Sequence, residues 1–299
     1  MTKIIKAILT KAARDLLNTL RAHIARVSKE PEPMAESGRS RKALIVLHQE
    51  HSTPGRVGRY LQSLGVELDI RRPPLGDPLP DHLDDHVGVI IFGGPMGVND
   101  PEPWIRREID WLDIPLKNDK PILGLCLGAQ MLARQLGARV FTHDDSRGEV
   151  GYYGLNPTPA ADRLCCARFP RYAYQWHFDG FDLPDGAHLL AGGAGDFPHQ
   201  AFRYGRNAVA LQFHPEVTYQ MMCRWTTRGA ERLSRPGARP REEHLGGWFQ
   251  HDGAVSNWLK SFLAAWTGDN LPAHAVTAPA KPAPTSEPRM QAPFAAAAY

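Results

Sequence analysis

The sequence predicts an α/β protein with a mainly parallel β-sheet, helices on both faces of the sheet and a β-rich extension. Between residues 42 and 136, short apolar segments alternate with amphipathic segments of helical periodicity, as strands and helices do in α/β folds. The apolar segments are nearly continuous, which is typical of parallel strands buried on both faces. After residue 139, short extended segments are separated by Pro and Gly, which indicates antiparallel strands.

The first half of the core is predicted to hold four strands and three helices. Pro54-Gly55 marks the loop before the first helix, and Gly65 marks the end of that helix. Apolar residues that recur at helical spacing predict the second helix. The strands are predicted at residues 42–48, 66–70, 87–92 and 122–125, and the helices at residues 57–64, 104–116 and 127–136.

The second half is predicted to be rich in strands before it returns to helix. The extended segments are residues 139–142, 150–155, 172–177, 188–191, 200–204 and 208–213, and a helix is predicted at residues 218–233. Residues 234–253 contain several Pro and Gly residues, so we predict a loop there. Residues 254–266 are predicted to form a helix that docks on the body through an apolar stripe, which consists of Val255, Trp258, Leu259, Phe262, Leu263 and Trp266.

The chain of 299 residues divides into four predicted parts. Residues 1–41 are a basic amphipathic extension with a linker, residues 42–233 are the main domain, residues 234–268 are the loop with its docking helix, and residues 269–299 are a tail. From residue 272 the tail has six Pro and ten Ala in 28 residues and shows no amphipathic pattern. We therefore predict that the tail is disordered.

The basic extension has an apolar stripe along residues 3–27, with Lys and Arg on the opposite face. Such a pattern fits a membrane-surface helix, a targeting segment, or a helix that docks on the body or on a partner. An accessory extension is the simplest interpretation. Met34 lies just before the core and is an alternative to Met1 as the start of translation.

Composition argues against several classes of function. Residues 1–42 carry ten Lys/Arg against four Asp/Glu, and because the whole chain has a net charge of +3, the remaining chain has a net charge of −3. This mildly acidic body gives no electrostatic reason to expect a nucleic-acid partner. The four cysteines form no C-x-x-C pair and are too few for a disulfide framework, which predicts a reducing, cytoplasmic location. No apolar run is long enough for a membrane span.

Cys126 lies between a predicted strand and a predicted helix, with Gly124 and Gly128 two residues away on either side. This is the pattern of a nucleophile elbow, with Cys in place of Ser. A nucleophile at the apex of such a sharp turn crowds its neighbours, so residues without a Cβ atom fit best beside it. The N-terminus of the following helix favours the thiolate, which is the reactive form. We therefore predict that Cys126 is a nucleophile.

His214-Pro215-Glu216 supplies the best candidate for a base. A nucleophilic thiol needs a base, and the base needs a group that orients it. His214 comes at the end of a predicted strand, and Glu216 follows two residues later. The carboxylate of Glu216 can accept a hydrogen bond from one imidazole nitrogen and so fix the tautomer of His214. A triad of Cys126, His214 and Glu216 is the result.

Two backbone N–H groups are candidates for the oxyanion hole of an acyl-transfer site. Leu127 directly follows Cys126, and Gly94 lies in the Gly-rich turn after the third predicted strand. Each such donor typically contributes a factor of about 10²–10³ in rate. The Gly-rich turn lacks the Lys-Ser/Thr pair of a phosphate-binding loop. His48 and His51, like a second histidine pair near residue 84, have no convincing third ligand nearby, so we predict no metal site.

Together these motifs resemble the class I glutamine amidotransferases. The similarity rests on the elbow at residues 124–130, on Gly93-Gly94-Pro95 before it and on His214-Pro215-Glu216 after it. Residues 148–152 and 175–182 resemble further signatures of stand-alone domains that are similar to the glutaminase part of GMP synthase. The resemblance covers roughly residues 42–230, and it implies the flavodoxin-like class I glutamine amidotransferase fold.

The resemblance also implies a reaction. Cys126 would attack the side-chain amide of glutamine and form a γ-glutamyl thioester, and His214 would protonate the departing ammonia and then activate water. Such proton transfer typically contributes about 10²–10⁴-fold. No cofactor is implied.

Four residues are implied to contact the substrate. In the family, the Gly-rich turn and the Gln of the elbow helix bind the substrate, which corresponds to Gly94 and Gln130 here. Trp176 and His177 are expected to line the site as well.

Two alternatives to a glutaminase remain open. A γ-glutamyl peptidase would use the same triad on a γ-glutamyl peptide or conjugate and would differ only in the leaving group. A binding or regulatory protein would keep the fold without activity, although the intact triad argues against this. Because only a loop, one helix and the tail follow residue 233, we expect a glutaminase of this kind to pass ammonia to a separate synthetase.

Overall fold

A computed structural model gives the fold, and it describes residues 41–268 and residue 271. Predictions for the N-terminal extension and its linker, and for the Pro/Ala-rich tail, concern residues outside this part of the chain. The strands are β1 (Lys42–Val46), β2 (Glu67–Arg71), β3 (His86–Ile91), β4 (Ile122–Leu125), β5 (Val140–Thr142), β6 (Glu149–Pro157), β7 (Tyr172–His177), β8 (Asp179–Phe181), β9 (His188–Gly193), β10 (His199–Tyr204) and β11 (Ala208–Leu211). The α-helices are α1 (Gly55–Ser63), α2 (Pro103–Trp111), α3 (Asp113–Lys117), α4 (Leu127–Gln135), α5 (Tyr219–Arg228) and α6 (Arg241–Thr267).

Nine of these strands form one sheet, in the order β2-β1-β3-β4-β11-β10-β9-β6-β7. Neighbouring strands pair in parallel in the first part of this order, which consists of β2, β1, β3, β4 and β11. They pair antiparallel in the second part, which consists of β11, β10, β9, β6 and β7. The short strands β5 and β8 form a separate antiparallel pair. The predicted α/β class is confirmed, with a parallel centre and a β-rich extension at one edge.

Alternate residues of β1 point to two separate hydrophobic layers. Ala43 and Ile45 belong to the layer that contains residues of α1 and α6. Leu44 and Val46 belong to the layer that contains residues of α2 and α4. Because side chains alternate along a strand, an uninterrupted apolar run places apolar groups on both faces. This is how the core strands are covered by helices on both sides.

The predicted helix at residues 104–116 is two helices in the structure, α2 and α3, which meet at Leu112. Pro115 lies within α3, and it has no backbone N–H with which to continue the hydrogen-bond ladder of α2. The predicted helix at residues 218–233 is also shorter, since α5 ends at Arg228 and a 3-10 turn follows at Ala230–Ser234. Gly229 separates the two, and a Cβ atom at this position would lie 2.9 Å from Trp176 Cζ2.

The prediction of a loop throughout residues 234–253 is wrong from residue 241 onward, because α6 begins at Arg241. Gly246, Gly247 and Gly253 lower the intrinsic preference of this part of α6 for helix. Tertiary contacts compensate: buried His244 bonds Tyr174 Oη through Nδ1 at 2.9 Å, and His251 stacks on Tyr172 with ring centroids 4.3 Å apart. Farther along α6, the predicted apolar stripe is buried in the core.

None of the helices in residues 41–268 is long and apolar enough to cross a membrane.

Candidate active site

The elbow at Cys126 joins β4 to α4. Cys126 is buried and has φ 50° and ψ −105°, a conformation that costs free energy for a residue with a side chain. A Cβ atom at Gly124 would lie 2.6 Å from the carbonyl oxygen of Gly128, and a Cβ at Gly128 would collide with the carbonyl oxygen of Ile91. Glycine is therefore required on both sides of Cys126, as the sequence pattern indicates.

His214 and Glu216 follow β11 and are both buried. Their side chains meet through His214 Nδ1 and Glu216 Oε1 at 2.7 Å. The backbone N–H of His214 donates to the carbonyl oxygen of Tyr174 at 2.9 Å, which fixes the chain where it leaves the strand. Burial lowers the pKa of His214, but the charges of Glu216 and Cys126 outweigh this effect and raise the pKa to about 10.

Gly93 lies between Cys126 and His214. A Cβ atom added to Gly93 would lie 2.9 Å from His214 Cε1 and 3.3 Å from Cys126 Cβ. The structure therefore brings Cys126 and His214, which are 88 positions apart in the sequence, to the same point beside the Gly-rich turn. His214 Nε2 is buried and makes no other hydrogen bond among the described residues, so it is available to Cys126, whose side chain interacts with the imidazole.

The Gly-rich turn is held by a buried pair that sequence reasoning assigned no role. His48 Nδ1 lies 3.2 Å from the carbonyl oxygen of Gly93, and His48 Nε2 lies 3.0 Å from Glu108 Oε1. Burial lowers the pKa of His48, but Glu108 and the backbone hydrogen bonds with Gly93 and Phe92 together raise it by more. A Cβ at Gly94 would lie 3.0 Å from His48 Cβ and 3.1 Å from Leu127 Cδ2. Gly94 and Leu127, the predicted oxyanion donors, are thus neighbours.

The side chain of Gln130 contacts other protein groups near the elbow. Its Nε2 donates to the carbonyl oxygen of Asp179 at 3.2 Å and to Gln212 Oε1 at 3.4 Å. Trp176 lies next to Cys126, with its carbonyl oxygen 4.0 Å from Cys126 Sγ. Contact of either residue with a substrate stays a prediction.

Both ring nitrogens of His177 are occupied within the protein. Nδ1 lies 2.9 Å from the carbonyl oxygen of Asp179, and Nε2 lies 3.1 Å from Glu149 Oε2. Gln200 Nε2 donates to the same carboxylate oxygen at 2.7 Å, and Gln175 Nε2 donates to Gln200 Oε1 at 2.6 Å. This buried network joins β7 to β6, β8 and β10. The resemblance singles out residues 148–152 and 175–182, but the sequence does not indicate that Glu149, His177 and Gln200 meet, because they are far apart along the chain.

A cavity of about 460 Å³ opens next to the base. His214, Glu216, Trp176 and the turn at residues 93–95 form its inner end, and its walls come from residues 49–53 and from α5 with the 3-10 turn that follows. Cys126 and Gln130 do not line the cavity, so it lies on the His214 side of the nucleophile. Its volume is in the range typical of small-molecule sites.

The described residues contain no group of three or more His, Cys, Asp and Glu side chains that could hold a metal ion.

The model of the glutamine amidotransferase class-I family matches residues 47–223, which is more than half of the chain. The chain belongs to this family. The match confirms the resemblance that the motifs indicate, and its range includes Cys126, His214 and Glu216. Helix α6 lies outside the matched range of the amidotransferase domain.

Similar proteins carry the same family description. The glutamine amidotransferase-like protein YfeJ of Salmonella typhimurium is 28% identical over 184 residues, which are 59% of this amidotransferase chain and 76% of YfeJ. The glutamine-hydrolysing GMP synthase of Porphyromonas gingivalis is 32% identical over 177 residues, which are 58% of this chain and 33% of that protein. The chain thus spans about a third of the length of the GMP synthases it matches.

Solved structures of glutamine amidotransferases share the fold. The enzyme from Thermotoga maritima is 29% identical, with a TM-score of 0.68 over 77% of this chain and 98% of that one. The glutamine amidotransferase from Methylobacillus flagellatus superposes with a TM-score of 0.71 over 79% of this chain and 97% of that one, at 23% identity. The predicted class I amidotransferase fold is therefore confirmed.

Proposed function

We propose that this chain hydrolyses the side-chain amide of glutamine through a γ-glutamyl thioester on Cys126. The observation that supports this most is the convergence of three groups at one place. A cysteine on a strained elbow lies beside a buried histidine, and Glu216 holds that histidine through a 2.7 Å contact. This is the arrangement that a thiol nucleophile, its base and the orienting group of that base require.

In the proposed reaction, Cys126 Sγ attacks the γ-carbonyl carbon of glutamine. The N–H groups of Gly94 and Leu127 stabilise the oxyanion that develops there. His214 donates a proton to the leaving nitrogen, the C–N bond breaks, and ammonia departs. His214 then takes a proton from water, which attacks the thioester and releases glutamate and the free thiol.

The partner we propose is a synthetase that consumes the ammonia. The GMP synthases that are similar to this chain are described as glutamine-hydrolysing, and the shared region is about a third of their length. This similarity supports a glutaminase role for the shared region. If the shared region is the glutaminase, the group that accepts the ammonia lies outside it, and a protein that carries such an acceptor is the partner we expect.

Chemical labelling with a glutamine-analogue electrophile tests the nucleophile. We expect peptide mass spectrometry to find the modification at Cys126, with free glutamine protecting against it. The matched control is Cys166, which is exposed but lies outside the site. If labelling follows exposure and Cys166 reacts while Cys126 does not, the thiol at the elbow is not the nucleophile.

Glutamate release tests the reaction. We expect Cys126→Ala to lower the rate of glutamine hydrolysis by about 10³ or more, whereas Cys166→Ser leaves it unchanged. Hydrolysis of γ-glutamyl dipeptides but not of glutamine would favour the peptidase alternative. Absence of turnover with either substrate, together with an unmodified Cys126, would favour a binding or regulatory protein.

A further inference from the structure

The cavity beside His214 lies where a leaving group must go. In the proposed reaction, the leaving nitrogen has to be next to the acid that protonates it, and His214 is that acid. His214 and Glu216 line the cavity, whereas Cys126 and Gln130 do not. Whatever is attached to the leaving nitrogen would therefore extend into this space.

The cavity has room for more than the glutamyl group and ammonia. Gly94 and Trp176, two of the expected substrate contacts, line it, and its volume of about 460 Å³ leaves space for a substituent on the leaving nitrogen as well. Trp225 contributes an aromatic wall, with its ring centroid 5.0 Å from that of His214 and 5.9 Å from that of Trp176. The space next to the acid can hold a substituent the size of an amino acid.

Two arginines on α5 bring positive charge to the cavity wall. Arg224 and Arg228 both line it and lie four residues apart, on one face of the helix. Neither side chain has a hydrogen-bond or ion-pair partner among residues 41–268 and 271. Like charges at this spacing repel each other, so a ligand that carries negative charge would relieve the repulsion.

The three carboxylates on the cavity wall each have a partner other than Arg224 and Arg228. Glu231 lies 3.8 Å from its neighbour Arg232, and Glu50 lies 3.9 Å from His51. Glu216 is already engaged with the base. The two free arginines are therefore the groups that a ligand entering from solvent would meet.

We propose that Arg224 and Arg228 form a subsite for a carboxylate on the leaving group, so that the site accepts γ-glutamyl amides whose amine is an amino acid or peptide. A guanidinium group suits this task because its N–H groups match the geometry of a carboxylate. The proposal rests on the thioester chemistry proposed above, and it names a substrate class for the same triad.

The reaction with such a substrate balances without any further reagent. Cys126 Sγ forms the bond to the γ-carbonyl carbon, the C–N bond breaks, and the amino acid leaves with a proton from His214. Water then hydrolyses the thioester, so the products are glutamate and the free amino acid.

Kinetics on three substrates test the subsite. γ-Glutamylglycine carries a carboxylate on the leaving group, γ-glutamylglycinamide is its neutral counterpart, and glutamine has no substituent there. For Arg224→Gln and Arg228→Gln we expect the KM for γ-glutamylglycine to rise about tenfold, and at least fivefold more than the KM for the other two substrates. Arg107→Gln is the matched control, because Arg107 is exposed on α2 and away from the cavity.

Binding to the Cys126→Ala variant provides a readout that does not depend on turnover. By calorimetry we expect γ-glutamylglycine to bind about tenfold more tightly than γ-glutamylglycinamide, and this preference to be lost when Arg224 and Arg228 are changed to Gln. Equal affinity for γ-glutamylglycine and γ-glutamylglycinamide would overturn the proposed subsite. An equal rise in KM for all three substrates in the arginine variants would overturn it as well. A preference for the acid without glutamate release from any substrate would contradict the proposed hydrolysis and retain the subsite.

Discussion

Glu216 decides the charge of His214. Both residues are buried, and burial alone would favour a neutral imidazole. The carboxylate of Glu216 and the charge of Cys126 reverse this preference and raise the pKa of His214 to about 10. At neutral pH the imidazole therefore carries a proton, which in the proposed reaction passes to the leaving nitrogen. A short contact between two residues so close in the sequence thus sets the charge of His214.

Replacing Glu216 by Gln should lower the pKa of His214 and make stability depend on pH in a defined direction. A raised native pKa stabilises the fold fully below the unfolded value of about 6.5 and progressively less as the pH rises toward 10. We expect the wild type to have a higher free energy of unfolding than Glu216→Gln, and this difference to be largest near pH 6.5. The difference should shrink by at most about 1.4 kcal/mol per pH unit above it.

Urea unfolding between pH 6.5 and 9.5 measures this difference, with Glu67→Gln as a control, since Glu67 is exposed on β2 and does not line the cavity beside His214. A difference between wild type and Glu216→Gln that is constant across this range would contradict the coupling. Glutamine hydrolysis by Glu216→Gln should fall by about 10²–10⁴-fold.

Helix α6 shows how packing can outweigh propensity. Its N-terminal half contains Gly246, Gly247 and Gly253, which differ in their surroundings. A Cβ at Gly247 would lie 2.5 Å from Tyr152 Cδ2, whereas a Cβ at Gly246 or Gly253 would meet nothing within 4 Å. Gly247 therefore allows the helix to approach β6, and the other two have no such role.

Alanine substitutions in α6 should separate these two cases. We expect Gly253→Ala to raise the free energy of unfolding by about 0.5–1 kcal/mol, because alanine favours the helix and no atom obstructs its methyl group. Gly247→Ala should lower it by about 1–3 kcal/mol, since its methyl group forces Tyr152 aside. Thermal or urea unfolding of both variants measures the pair, and equal effects would show that the approach to Tyr152 does not matter.

Through Arg56, the C-terminal helix is connected to the loop that carries His214 and Glu216. The Arg56 guanidinium bonds Asp252 Oδ1 on α6 at 2.5 Å and also the carbonyl oxygen of Val217. The backbone N–H of Arg56 donates to the carbonyl oxygen of Glu216 at 3.0 Å. A helix outside the family-matched range thereby supports the residues next to the triad.

A double-mutant cycle on Arg56→Gln and Asp252→Asn should show this connection. The side chains are only 5% and 17% exposed, so we expect a coupling energy of about 1–3 kcal/mol in urea unfolding. The control cycle uses Arg106 and Asp110, whose side chains are 76% and 54% exposed and which should couple far more weakly. Similar coupling energies in the two cycles would argue against a role for burial.

Much of the site could be predicted from the sequence because its motifs are local. Gly124, Cys126 and Gly128 form one turn, and His214 and Glu216 lie two residues apart. In each case the required geometry spans a few residues, so the pattern along the chain reflects it. The roles of His48 and Glu108 could not be predicted in this way, since 60 residues separate two side chains that meet only in the folded protein.

By itself, the sequence determined the α/β class and the elbow at Cys126, because the spacing of apolar residues and glycines directly reflects backbone geometry. Only the tertiary structure decided where α6 begins, since its packing against β6 and β7 overcomes the low helix preference of its glycines. It also decided that Arg224 and Arg228 face the same cavity as His214. Charges on a helix surface have no fixed partner in the sequence, and the folded surroundings determine what they can bind.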